Sequence, residues 1–110
     1  MNKPVVLVHG AWHGPWCWER VTPYLDAANV DWVAPDLPSV VDASRGANQI
    51  EDNAVVRDAL DGLPGSEKAI LLGHSRGGTV ITEAGTHERV GHLVYLAAFL
   101  GLENEDTTPY

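Results

Sequence analysis

The chain of 110 residues has a single cysteine, Cys17, and no apolar run long enough to cross a membrane. One cysteine excludes an internal disulfide, and its apolar neighbours favour a packed thiol over a reactive one. Residues 1–4 lead directly into a strand-like run, without the apolar region of a secretory leader. We therefore expect a cytoplasmic protein with no membrane partner.

Basic residues are also scarce, with seven Lys and Arg against 15 Asp and Glu and a formal net charge of -8. This excess of negative charge repels a phosphate backbone, so it argues against a nucleic-acid partner. A hydrophobic fraction of 45% is nevertheless typical of a globular protein, and the length suits one domain. We predict neither a metal site nor a cofactor.

The chain does contain short apolar runs that alternate with helical periods. The strand-like runs are residues 5–8, 31–34, 68–72 and 92–99. The helical periods cover residues 16–28, 48–63 and 76–87. Pro23 should kink or delay the first helix, because it lacks a backbone donor. This alternation predicts an α/β fold, in which a parallel sheet of about four strands is flanked by helices.

The most informative segment is residues 73–78, with the sequence GHSRGG. It follows a buried-strand pattern and opens a helical one, so it matches the Gly-x-Ser-x-Gly turn that exposes a serine hydroxyl at the end of a strand. In that turn Gly73 and Gly77 let backbones approach closely while the serine takes a strained conformation. We therefore predict that Ser75 is a nucleophile; an ordinary helix cap is the alternative.

A second candidate segment, residues 9–12 (HGAW), directly follows the first strand. An acyl-transfer site needs N–H donors for the developing oxyanion, and the Ser75 turn supplies one as the amide of Arg76. The amide of Ala11 can supply the other if the two strands are neighbours. Gly10, Trp12 and His74 are the predicted substrate-binding residues, although packing is an alternative for Trp12 and His74.

Three segments together resemble the α/β-hydrolase superfamily: residues 7–16 (LVHGAWHGPW), 73–78 and 96–100 (LAAFL). Within it they are most similar to the plant methyl-esterase and hydroxynitrile-lyase group and its bacterial relatives. The resemblance implies the strand order second, first, third, fourth. It also implies that this chain is the N-terminal half of such a fold, with residues 1–100 in the core domain. Residues 101–110 would be a polar tail that begins the cap region, and the cap and last strands would be absent.

The resemblance implies a triad acid and a triad histidine in the absent part, so we asked whether this chain could supply its own base. His87 lies 12 residues beyond Ser75, roughly 18 Å along a helix, and His92 begins the fourth strand at the opposite sheet edge. His9 and His13 are better explained as structuring the loop. Acidic residues of the tail, such as Glu103, would have no histidine to orient.

The sequence therefore predicts a serine hydrolase of esterase type that acts on a small-molecule ester but lacks part of its catalytic machinery. One alternative is a hydroxynitrile-lyase-like lyase, although those lyases tend to have threonine where this chain has Gly10. The other is a non-catalytic truncated half-domain. Whichever of these functions applies, the exposed strand near residues 93–99 should favour self-association, because it would lie at an open sheet edge.

Overall fold

The apolar runs form the four strands of one parallel sheet in a computed structural model, which describes residues 3–10, 14–38 and 49–96. The strands are β1 (Val5–Val8), β2 (Trp32–Val33), β3 (Ala69–His74) and β4 (Val90–Leu96). Their spatial order is β2-β1-β3-β4, and every pair is parallel. This confirms the predicted α/β sheet and the implied strand order. It also makes β1 and β3 neighbours whose C-terminal ends lie side by side.

The second and third helical periods each form one helix, although the third helix ends three residues before the predicted end at His87, and the first period differs more. The helices are a 3-10 helix (Pro15–Trp18), α1 (Thr22–Ala27), α2 (Gln49–Asp61) and α3 (Gly77–Ala84). The period over residues 16–28 is thus two short helices. Pro23 stands in the first turn of α1, where its missing N–H needs no partner, so it delays the α-helix as expected. Within the described ranges, no helix combines the length and the apolar character needed to cross a membrane.

Helices cover both faces of β1, which explains why its apolar run is continuous. Val6 and Val8 belong to a core formed with α2 and α3, whereas Val5 and Leu7 pack with Trp18 of the 3-10 helix. Parallel strands buried on both faces need apolar residues at successive positions, because their side chains alternate between the two faces. The first core cluster contains these buried residues: Val6, Val8, Leu37, Val56, Leu60, Leu63, Ala69, Leu71, Val80, Ile81 and Ala84.

Strand β4 is far more exposed than β1. Residues 91–96 are all exposed, and they include the large apolar side chains Leu93, Val94, Tyr95 and Leu96. Within the described part of the chain, β4 pairs only with β3. Its outer edge is therefore open there. Residues 97–99 of the predicted strand and the tail at 101–110 lie outside the described residues, so the division into core and tail stays a prediction.

Arg89 ties the start of β4 to the loop between α2 and β3. Its guanidinium donates to the carbonyl oxygens of Leu63 and Pro64, each at 3.2 Å, and to that of Glu67 at 3.1 and 3.2 Å. We expect Arg89→Ala to lower the free energy of unfolding by about 1–2 kcal/mol, because these charge-assisted bonds have no replacement on alanine. Urea denaturation followed by circular dichroism measures the change.

Arg57→Ala is the matched control, because Arg57 is also an arginine at the surface but donates one hydrogen bond, to Thr86 Oγ1 at 3.2 Å. Arg57→Ala should lower the free energy of unfolding by well under half as much as Arg89→Ala. Equal effects of the two variants would mean that Arg89 does not anchor the loop.

Candidate active site

Ser75 lies in the turn between β3 and α3, at the carboxyl end of the strand. Its φ is 55°, in the left-handed region that residues other than glycine rarely adopt. The Ser75 amide donates to the carbonyl oxygen of Leu96 on β4 at 3.4 Å, and the Ser75 carbonyl accepts from the Gly78 amide at 3.0 Å. The backbone is therefore held in a strained conformation by the strand on one side and the helix on the other.

Two glycines of the turn allow the backbones around it to approach closely. A Cβ atom added at Gly73 would lie 2.6 Å from the Gly77 carbonyl oxygen. One added at Gly77 would lie 2.6 Å from the carbonyl oxygen of Val8, on β1. Since real Cβ atoms essentially never come this close to another atom, both positions exclude a side chain unless the backbone moves. The start of α3 thus packs directly against the end of β1.

The loop after β1 reaches Ser75 at Gly10. A Cβ atom added there would lie 2.8 Å from Ser75 Cβ and 3.4 Å from Ser75 Oγ. The structure therefore brings Gly10 and Ser75 together, as expected if β1 and β3 are neighbouring strands. Ala11 and Trp12 lie outside the described residues, so their oxyanion and substrate-binding roles remain predictions.

Arg76 follows Ser75 in the turn and is the N-cap of α3. Its carbonyl oxygen accepts from the Thr79 amide at 3.1 Å and from Thr79 Oγ1 at 2.8 Å. These two bonds secure the first turn of α3. They orient the peptide backbone next to Ser75, and the role of the Arg76 amide as an oxyanion donor remains a prediction.

His74 packs against the 3-10 helix. Its ring meets Trp18 edge to face, with ring centroids 6.3 Å apart and an interplanar angle of 80°. Both side chains line an open cleft of about 440 Å³ together with Cys17 and Leu96. Burial raises the pKa of the Cys17 thiol, so the neutral form is favoured there, in agreement with the predicted packed cysteine. The contact with Trp18 agrees with the packing interpretation of His74, and its substrate-binding role is a prediction still.

His9 is fully buried, and both of its ring nitrogens have hydrogen-bond partners. Nδ1 lies 2.9 Å from the carbonyl oxygen of Gly10, and Nε2 lies 3.1 Å from the amide nitrogen of Leu37. Because a carbonyl only accepts and an amide N–H only donates, the ring is neutral with its proton on Nδ1. This arrangement supports the loop-structuring interpretation of His9. Leu37 was missed by the sequence analysis, since no local pattern links it to a histidine 28 residues away.

The two later histidines among the described residues are remote from Ser75 or already engaged. His87 Nε2 lies 2.7 Å from Asp61 Oδ1, and its Nδ1 accepts from the Arg89 amide at 3.0 Å. His92 pairs with Ile70, near the start of β3, whereas Ser75 follows the end of that strand. Neither histidine is placed to act as the base for Ser75, as the sequence argument concluded. The predicted positions differ, however, since α3 ends at Ala84, before His87, and β4 begins at Val90, two residues before His92.

Comparison with known proteins gives the same fold. A model of the alpha/beta hydrolase family matches residues 5–109. The chain belongs to the α/β-hydrolase family. Its four-stranded parallel sheet flanked by helices is therefore an α/β-hydrolase sheet, and the resemblance based on three segments is confirmed.

Similar proteins of this α/β-hydrolase family include plant methylesterases. A pFDCC methylesterase of Arabidopsis thaliana is 38% identical over 99 residues, which cover 84% of this chain and 38% of that protein. Its crystal structure superposes with a TM-score of 0.79 at 35% identity, over 90% of this chain and 44% of that chain. The crystal structure of tomato methylketone synthase I, in a variant complexed with beta-ketoheptanoate, superposes with a TM-score of 0.82 at 30% identity. The match covers 98% of this chain and 44% of that chain. This chain thus spans less than half the length of the relatives it matches.

Proposed function

We propose that this chain carries the nucleophile and oxyanion donors of an esterase site, in which Ser75 opens a carboxylic ester through an acyl-enzyme. The observation that carries this proposal is the strained Ser75 turn, with its φ of 55°, at the carboxyl end of β3 and against Gly10. Ligand sites of open α/β sheets lie at the carboxyl ends of the strands. The relatives support the substrate class, because a methylesterase is among them; a small-molecule methyl ester is therefore the proposed substrate.

In the proposed reaction, Ser75 Oγ attacks the ester carbonyl carbon and its proton passes to a base. The carbonyl oxygen becomes an oxyanion that accepts hydrogen bonds from the amides of Ala11 and Arg76. The bond from carbon to the alkoxy group then breaks, and the leaving alcohol takes up the proton. Water hydrolyses the acyl-enzyme in the same way and restores the Ser75 hydroxyl. No step needs a metal or a cofactor.

The base is the part of the proposal that the described residues do not supply. His9 has its proton on Nδ1 and its Nε2 engaged with Leu37, and His74 packs against Trp18. A serine without a base is a weak nucleophile. We therefore propose that the base comes from outside the described residues, and we expect little or no turnover from this polypeptide by itself.

Covalent labelling of Ser75 by a fluorophosphonate tests the nucleophile independently of turnover. The wild-type chain should become labelled, but slowly, because the described residues supply no base; peptide mapping should locate the label on Ser75, and Ser75→Ala should show none. Hydrolysis of an activated methyl or acetyl ester, followed by release of the alcohol or phenol, then measures turnover. Wild-type labelling no faster than that of Ser75→Ala would contradict the nucleophile and support a non-catalytic half-domain.

A cyanohydrin lyase is the second candidate activity, but Gly10 favours the esterase. The lyases of this group tend to carry threonine at this position, and here an added Cβ atom would lie 2.8 Å from Ser75 Cβ. A chain that released aldehyde from an aromatic cyanohydrin but hydrolysed no ester would reverse this assignment.

We further propose that the chain associates with itself through β4. The support is the exposed row of apolar residues on this strand, where Leu96 is 50% and Val94 is 40% exposed, next to an edge that is open within the described residues. Unpaired strand edges with apolar side chains are templates for pairing with another chain. The area around Val94 and Leu96 should then be buried in the associated state.

The double variant Val94→Lys and Leu96→Lys should shift the chain toward monomer, because charged side chains on an edge strand oppose pairing. Size-exclusion chromatography with light scattering at micromolar concentration measures the mass. Tyr24→Lys is the control, since Tyr24 is a large apolar residue on α1 that is 78% exposed and distant in sequence from β4. A monodisperse wild-type monomer would contradict self-association.

A further inference from the structure

The two faces of β4 differ in their neighbours. On one face, Leu93 lies against Gly85, the C-cap of α3, where an added Cβ atom would meet Leu93 Cδ2 at 3.0 Å. On the same face, the Tyr95 hydroxyl lies 2.9 Å from Thr82 Oγ1 of α3. Successive side chains of a strand alternate between its faces, so Val94 lies on the opposite face. Helix α3 therefore packs on one face of β4, and Val94 is on the other side of the sheet.

The register of the sheet continues this second face onto β3. Val94 pairs with Leu72, and Leu96 pairs with His74. Leu72 packs against the cluster that Trp18 of the 3-10 helix forms with β1. We call the surface of β3 and β4 on this side of the sheet the open face (Leu72, His74, Val94 and Leu96).

The open face is mostly apolar and only partly covered. Along β3, buried and half-buried residues alternate, and the half-buried ones include Leu72 and His74. On β4, Val94 is 40% and Leu96 is 50% exposed. The 3-10 helix borders the open face across the cleft of about 440 Å³, which His74 and Leu96 also line. Since a sheet buries an apolar face against another layer, the open face is suited to a contact with a further layer.

The rim of the same cleft carries aromatic, apolar and charged side chains. Trp16 and Val21 line it and are 61% and 40% exposed. Glu19 and Arg20 follow the 3-10 helix, line the cleft and are also exposed. An apolar centre with an aromatic anchor and a polar rim is the composition of a protein–protein interface.

The charges on this rim suit a second copy of the chain. In a contact with two-fold symmetry, the same surface of each copy meets its partner. Neighbouring charges of opposite sign make such a surface self-complementary, because Glu19 of each copy can pair with the partner's Arg20. The contact then contains two ion pairs together with the apolar residues of both open faces.

Two other arrangements suit the open face less well. Pairing of β4 edges joins backbone groups in the plane of the sheet and leaves side chains that point out of that plane uncovered. Residues 101–110 have the sequence GLENEDTTPY, with three acidic residues and few apolar ones, so they offer little surface to pack on Val94 and Leu96. A second copy supplies an apolar surface of equal size and the opposite charges.

We propose that two copies of this chain associate through their open faces, with Val94 and Leu96 of each copy packed on the partner and Glu19 opposite the partner's Arg20. The inference rests on the self-association proposed above and specifies its surface, a sheet face rather than a strand edge. Trp16 is the aromatic anchor at the rim. The esterase proposal is independent of this contact.

Two neighbouring positions of β4 separate the face from the edge. Leu93 and Val94 are 39% and 40% exposed on the same edge strand, but they lie on opposite faces. We expect Val94→Lys to raise the dissociation constant of the dimer about tenfold or more, because the charge enters the apolar contact from both copies. Leu93→Lys should change it by less than about threefold. Sedimentation equilibrium of the full chain measures the constant, and circular dichroism verifies that both variants are folded.

A charge exchange tests the contact without altering the sheet. Arg20→Glu should weaken the dimer roughly threefold to tenfold, because each copy then places acidic side chains opposite those of its partner. Combining it with Glu19→Arg restores opposite charges and should return the dissociation constant to within about twofold of the wild-type value. Arg57→Glu, on α2, is the control, since it changes the net charge as Arg20→Glu does. It should leave the dimer intact.

The outcomes distinguish this surface from self-association in general. A wild-type monomer at micromolar concentration would contradict both. A dimer that Leu93→Lys and Val94→Lys weaken equally, or that the charge exchange fails to restore, would keep self-association and overturn the open face as its contact. A monomer that associates only after removal of residues 101–110 would assign the open face to that segment and would also overturn the proposal.

Discussion

Ser75→Gly is expected to abolish fluorophosphonate labelling and at the same time to stabilise the chain by about 0.5–1 kcal/mol. The loss of labelling follows from the loss of the hydroxyl. The gain in stability follows from the φ of 55° at Ser75, because glycine adopts the left-handed region without the clash between Cβ and backbone. In a domain of this size the gain corresponds to a rise in melting temperature of roughly 2–6 °C.

Ser75→Ala is the matched control for this prediction, because alanine also lacks the hydroxyl but keeps the Cβ atom. It should abolish labelling with a melting temperature close to that of the wild type. Differential scanning fluorimetry or calorimetry compares the three chains. A glycine variant no more stable than the alanine variant would mean that the Ser75 turn stores no backbone strain, and the structural argument for a nucleophile turn would be weakened.

Gly77→Ala is expected to have the largest effect on stability, a loss of about 1–3 kcal/mol. The added Cβ atom would lie 2.6 Å from the Val8 carbonyl oxygen and 2.9 Å from that of His9. Both are backbone atoms at the end of β1, so they cannot move aside as a flexible side chain could. The start of α3 and the end of β1 must separate instead, and Gly10 should then lose its position beside Ser75.

Gly62→Ala controls for the general effect of a methyl group at a glycine. An added Cβ atom at Gly62 would meet its nearest neighbour, the Asp58 carbonyl oxygen, at 3.5 Å, an ordinary contact. Its free energy of unfolding in urea should change by less than about 0.5 kcal/mol, as is usual for surface substitutions. A Gly77→Ala variant as stable as Gly62→Ala would show that β1 and α3 are not in close backbone contact.

The strands were predictable because their signal is local. Continuous apolar runs such as Val5–Val8 report burial on both faces, and the structure confirms them as adjacent parallel strands. The ends of elements were less predictable. Strand β3 continues through Gly73 and His74, beyond the predicted end at Leu72, because pairing with β1 and β4 extends it. A ladder of hydrogen bonds with other segments has no counterpart in local periodicity.

The bounds of the first helix were also not predictable from local periodicity. The apolar period over residues 16–28 is real, but it divides into a 3-10 helix and α1. Proline at position 23 can occupy only the first turn of an α-helix without losing a hydrogen bond, so α1 begins at Thr22. Val21 lies between the two helices and is 40% exposed.

The sequence by itself determined the family, the succession of strands and helices, and the position of Ser75 in its turn, because each depends on a short contiguous pattern of residue types. Only the tertiary structure decided that Gly10 touches Ser75 and that His9 bonds to Leu37, 28 residues away. Contacts of this kind depend on which strands are neighbours and on their register. Those are set by the packing of the whole sheet rather than by any one segment.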